Sequence, residues 1–170
     1  MAISMHSASA PVFTRMLGNL LGWLDKAQAH AEARTFDTAN YLSMKLAPDM
    51  LPFVRQVQIA CDAAKGCMAR LAGVEVPAWE DKEASFDDLR ARVRRTLDYV
   101  ASFEAARIDG SEAREIVLPT RHGEPLRMPG EVYLKHYALA NFHFHATLAY
   151  ALLRHAGVDL GKSDFLGAQR

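Results

Sequence analysis

Apolar side chains recur along this chain with the 3.6-residue period of a helix, in four long stretches separated by short breaks. The first covers residues 11–33, where Phe13, Met16, Leu17, Leu20, Leu21, Trp23 and Leu24 form a broad apolar stripe. Ser9 stands at its N-cap position, and Pro11 is acceptable in the opening turn. A short helix or ordered loop is expected over residues 38–46. The second long helix is expected to open at Pro48-Asp49 and to end near Gly73, because glycine suits the left-handed position after a helix.

The stretch "VEVPAWEDKEA" breaks the period and reads as a connection. "SFDDLRARVRRTLDYVASF" restarts it, with Ser85 as N-cap and Asp87 and Asp88 in the first turn, where they complement the helix dipole. Two short apolar runs in "REIVLPTRHGEPLRM" flank a turn near His122-Gly123, which predicts a small β-hairpin kept short by Pro119 and Pro125. After Pro129-Gly130 the last long helix covers residues 131–156, with His155 in its final turn at the carbonyl end of the dipole. These elements predict an all-α fold: a four-helix bundle with a β-hairpin before the last helix, one domain over residues 1–170.

Composition narrows the functional classes. Half of the 170 residues are hydrophobic and 24% are charged, enough for a real core. Twenty acidic and twenty basic side chains cancel, so no overall field draws the chain to nucleic acid, and no nucleic-acid partner is expected. The four arginines of the third helix alternate with aspartates and read as a solvated face. No apolar run approaches the roughly 18 residues that span a bilayer, so no membrane partner is expected. The N-terminal "MAISMHSASAPVF" lacks the basic start and compact apolar stretch of a secretory signal, and a cytoplasmic location is expected. Cys61 and Cys67 are six residues apart on one helix, a rise of about 9 Å, which is too far to bridge; they read as small core residues.

The last helix carries the candidate chemistry. At about 100° per residue, Leu134, Ala138, Phe142, Leu148, Ala149 and Leu152 share one sector, and Asn141 and His145 fall near its middle. His136 and His143 fall on the opposite side with Thr147 and Arg154, separated by about 10.5 Å of rise, so "HFH" is not a chelating pair. Asn141 and His145, spaced i and i+4, can converge on one point inside the bundle. Burying both without partners costs on the order of 1–3 kcal/mol each, so another helix, ordered water, a ligand or a metal must satisfy them.

The second helix offers partners. Its apolar sector is Phe53, Val57, Ala60, Ala64, Met68 and Leu71, with Gln56 and Asp49 on one flank, while Gln58, Asp62 and Lys65 are expected to point away. Gln56 bonded to His145 or Asn141 across the bundle is the packing reading. A ligand site or a metal site built from the same groups are the functional ones.

The segments "APVFTRMLGNLLGWLDKA", "LAPDMLPFVRQVQIACDAAKG", "MPGEVYLKHYALANFHFHATLAYALLRHAGV" and "GKSDFLG" resemble a bacterial domain-of-unknown-function branch of the DinB/YfiT-like metalloenzyme superfamily. The resemblance spans essentially the whole chain and implies an up-down-down-up four-helix bundle, often dimeric. Metal-binding members hold zinc or nickel with three histidines, one on the second helix and an H-x-x-x-H pair on the fourth. That pair falls on Asn141 and His145 here, and the second-helix position falls on Gln56. One imidazole with two neutral amides is a poor zinc set. The expectation is therefore a homodimeric bundle that binds a small molecule through Gln56, Asn141 and His145, with no tightly held metal. The alternatives are a metal-dependent transferase or hydrolase acting on a small thiol or polar substrate, and a structural dimer without catalysis.

Overall fold

The computed structural model describes residues 3–120 and 123–167. Four long helical runs form the expected up-down-down-up bundle: α1 (Ala10–Ala33), α3 (Phe53–Ala72), α4 (Phe86–Ala101) and a last run ending in α7 (Leu139–His155). α3 packs most heavily on α7 and also on α4, while α1 closes the ring by packing on α4 and α7. Short helices α2 (Ala39–Leu42) and α5 (Ala105–Ile108) lie in the connections. Trp23, Phe13, Phe53, Phe142, Leu17, Leu24 and Met68 are fully buried at the centre. Each such side chain contributes roughly 1.5–3 kcal/mol through removal from water. No helix of the described residues is long and apolar enough to cross a membrane.

The local signals act as the sequence implies at several ends. Ser85 Oγ accepts from Asp88 N at 3.1 Å and so caps α4. Gly73 ends α3 at φ +70°, a conformation only glycine adopts without strain. Two ends differ. The Ser9 hydroxyl donates back to Met5 O at 2.7 Å instead of capping α1. α3 begins at Phe53 rather than at Pro48-Asp49, because Pro52 disfavours helical backbone at Leu51. Asp49 therefore sits exposed in a turn and not on the α3 flank.

The hairpin forms between β1 (Glu115–Leu118) and β2 (Leu126–Pro129), antiparallel with Ile116 opposite Met128. Its turn was expected at His122-Gly123; Arg121 and His122 lie outside the described residues. The last helix is expected as one regular α-helix but comes in three continuous parts: α6 (Gly130–Val132), a π-helical segment Tyr133–Ala138, and α7. The wider π turn takes up extra backbone ahead of α7, and such segments often sit at functional sites.

The C-terminal segment docks on its own bundle. In α8 (Lys162–Leu166), Phe165 stacks on Trp23 at 5.6 Å and meets Tyr150 edge-on at 5.4 Å. Trp23 Nε1 donates to Asp164 O at 2.9 Å, and Asn19 Nδ2 to Phe165 O at 2.8 Å.

Candidate functional site

Gln56 on α3 and His145 on α7 meet inside the bundle, with His145 Nδ1 2.7 Å from Gln56 Oε1. Gln56 Nε2 donates to Leu51 O at 2.9 Å, which orients the amide so that its oxygen faces the ring. His145 Nδ1 must then carry the proton and donate, leaving Nε2 unprotonated. Burial pushes the imidazole pKa below its ordinary value, which favours this neutral form. Both polar ends of Gln56 are thus satisfied within the protein, as the packing reading requires.

Asn141 does not join them. Its half-buried amide makes no side-chain hydrogen bond among the described residues, and it lines a cleft of about 210 Å³ between α3 and the last helix. Arg70, Asp62, Tyr133 and Tyr137 are the other polar or aromatic walls, and Leu118 and Pro119 of the hairpin close one side. The π segment presents both tyrosines, whose rings stack at 5.9 Å. Arg70 Nη1 donates to the buried Tyr133 hydroxyl at 3.3 Å.

Gln58, Asp62 and Lys65 do not point into solvent as expected. Gln58 and Lys65 are buried and Asp62 half-buried, beneath the connection that follows α3. Nor is Arg92 part of a solvated face, since it is 4% exposed. Its Nη2 lies 3.0 Å from Asp62 Oδ1 and 2.9 Å from Asp81 Oδ1, and its Nη1 lies 3.0 Å from Glu83 Oε1. Both Nη2 contacts are charge contacts off the hydrogen-bond angle, whereas Nη1 donates to Glu83. Arg55 pairs with Asp81, and Lys65 Nζ sits 2.7 Å from Asp62 Oδ1. Lys65 and Arg95 also lie over the Trp79 ring, at 4.4 Å and 4.2 Å. Three cations thus balance three carboxylates and fasten the connection across α3 and α4. The sequence signal was there, in acids of "WEDKE" facing basic residues at helical spacing, but no periodicity marks an irregular cover.

The metal implied by the resemblance does not fit these residues. Gln56 Oε1 is committed to His145, Gln56 Nε2 to a carbonyl, and Asn141 offers only a neutral amide, so Nε2 of His145 is the single good donor. Among the described residues no group of three or more His, Cys, Asp or Glu is placed to hold an ion. Cys61 and Cys67 are buried free thiols, in agreement with their reading as core residues; burial pushes Cys61 up to about 12 and Cys67 also upward.

A crystal structure of a DinB family member from Shewanella denitrificans superposes with a TM-score of 0.87 at 38% identity, covering 96% of this chain and 92% of that one. No curated protein matches the chain. The model of a domain of unknown function, DUF1993, matches residues 5–166, and the chain belongs to that family, with a DinB-like fold.

Proposed function

We propose that the protein binds a small polar molecule in the cleft between α3 and the last helix, without a tightly held metal. The observation that carries this reading is the Asn141 amide, which faces the cleft without a side-chain partner while its neighbours Gln56 and His145 satisfy each other. The polar atoms of this amide reach solvent, so a ligand can take the place of water there at little cost. Gln56 and His145 then support the site one turn away by holding α7 against α3, rather than touching the ligand. The rival metal-dependent transferase or hydrolase needs a donor set that these three residues do not supply. No chemical step is assigned.

Thermal-shift screening of small polar metabolites against the wild type and Asn141→Leu tests the reading. Ligands that raise the melting temperature of the wild type and leave the variant unmoved support it. Shifts retained in full by the variant contradict it.

A second reading concerns assembly. From Tyr137 to Leu153 the last helix carries no Asp, Glu, Lys or Arg, and Tyr137 and Phe144 are exposed along it. Such an uncharged apolar face supports the homodimer expected from the sequence. Light scattering should read twice the chain mass for the wild type and a single chain for Phe144→Glu.

A further inference from the structure

Arg70 is an exception among the arginines. Of the described arginines that are not exposed, Arg55, Arg90 and Arg92 each hold at least one carboxylate. Arg70 holds none; its one hydrogen-bond partner is the Tyr133 hydroxyl, a neutral group. Arg70 is half-buried and none of its unpaired nitrogens is sealed from water, so donors are left free to take an anion from the cleft.

The local structure makes room for this arrangement. A Cβ at Gly66 would collide with Arg70 Nη1, so the absence of a side chain one turn earlier lets the guanidinium lie back along α3 over Gly66. The Tyr133 oxygen accepts from Arg70, which leaves its own proton to donate. Burial pushes the Tyr133 pKa well above the ordinary tyrosine value, so the group stays a neutral donor. Asn141 adds an amide from the facing helix. Arginine and phenol donors therefore mark one end of the cleft; the helices run antiparallel, with Gln56 against His145 and Arg70 against Tyr133, so Asn141 lies level with Asp62 at the other end.

The opposite end is negative. Asp62 Oδ1 is taken by Lys65 and Arg92, and the carboxylate also lines the cleft. It opposes a doubly charged anion and offers an acceptor to a hydroxyl or ammonium group. The volume of about 210 Å³ corresponds to about seven waters at roughly 30 Å³ each, which limits the occupant to a few carbons.

Resting on the reading of this cleft as a ligand site, we infer that its ligand is a small monocarboxylic acid with a hydrogen-bond donor at its other end. The class is that of the short ω-hydroxy and ω-amino acids. Arg70 takes the carboxylate in the two-point geometry that a guanidinium favours, Tyr133 donates beside it, and Asp62 and Asn141 meet the hydroxyl or ammonium at the far end.

Calorimetric titration tests this with ω-hydroxy and ω-amino acids of three to five carbons, matching primary amines, and inorganic phosphate, each to millimolar concentration. The proteins are the wild type, Arg70→Gln, Arg70→Lys and Asn141→Leu, each checked for a native circular dichroism melt. The expected result is that at least one acid binds while the amines and phosphate do not. Arg70→Gln should weaken that acid by about tenfold or more, with partial recovery in Arg70→Lys. No binding by any acid, tighter binding of phosphate, or an acid affinity that Arg70→Gln leaves unchanged overturns the inference. Should neutral or cationic compounds instead bind in a manner lost in Asn141→Leu and kept in Arg70→Gln, the cleft stands and only the carboxylate class falls. An acid whose affinity is untouched by all three substitutions binds elsewhere, and the cleft reading falls too.

Discussion

His145 Nδ1 and Gln56 Oε1 lie 2.7 Å apart and join the two most closely packed helices of the bundle. Replacing His145 alone with leucine strands the Gln56 oxygen in the core, at an expected cost of about 1–3 kcal/mol. Replacing both with leucine removes donor and acceptor together, and the Leu51 carbonyl released by Gln56 belongs to an exposed residue that water can reach. The double variant should then lie within about 1 kcal/mol of the wild type. Urea denaturation of the four proteins measures this coupling, and strictly additive losses would show that the pair does not act as a unit.

Acid should weaken the fold in two separate windows. Burial holds the His145 pKa below its ordinary 6.5, so the unfolded chain binds this proton more readily than the folded one. The contribution is complete above pH 6.5 and is lost as pH falls through the lower folded-state value. Asp81 behaves likewise at lower pH: burial pushes its carboxyl up, but Arg55 and Arg92 outweigh that and hold it below 3.8. Its contribution is present above that value and lost below it. His145→Gln, which keeps a donor for Gln56, should flatten the decline just below pH 6.5 and leave the one below pH 3.8 unchanged. Equal slopes in the upper window for both proteins would contradict the assignment.

Arg92 is the side chain on which the connection after α3 depends. Arg92→Met leaves Asp62, Asp81 and Glu83 without their shared cation, and breaking a buried pair in this way costs about 3–5 kcal/mol. The melting temperature should fall and Trp79, freed from its packing between Lys65 and Arg95, should show red-shifted emission. A Trp23→Phe background isolates that signal, and an unchanged melting curve would mean the network is peripheral.

Both thiols should be silent in the native protein. Cys61 is fully buried with its pKa pushed up to about 12, and Cys67 is pushed upward as well, so neither supplies thiolate near neutral pH. A disulfide reagent at pH 8 should label neither in buffer and both in denaturant. Rapid labelling of either one in buffer would show that the core opens locally.

The long helices were legible because each has one face toward the core, and the 3.6-residue period records that directly. Phe13, Leu17 and Trp23 on α1, and Phe53, Val57 and Met68 on α3, sit where the pattern places them. The pattern is blind to burial by an irregular cover. Gln58, Lys65 and Arg92 lie on polar sectors that would be solvated if the connection bearing Trp79, Asp81 and Glu83 did not cross them. At the site, the His145–Gln56 pairing was legible from spacing and the need to satisfy buried polar groups. The separation of Asn141 from it was not, because the cleft that Asn141 faces depends on Tyr133 and Tyr137 of the π segment, and a regular wheel does not represent that wider turn.

Native mass spectrometry of the untagged protein, purified without chelator, tests the central claim most directly. The account predicts a chain without a stoichiometric divalent metal, carrying a small organic adduct that is lost in Asn141→Leu. Near-stoichiometric zinc or nickel that disappears in His145→Ala would contradict it.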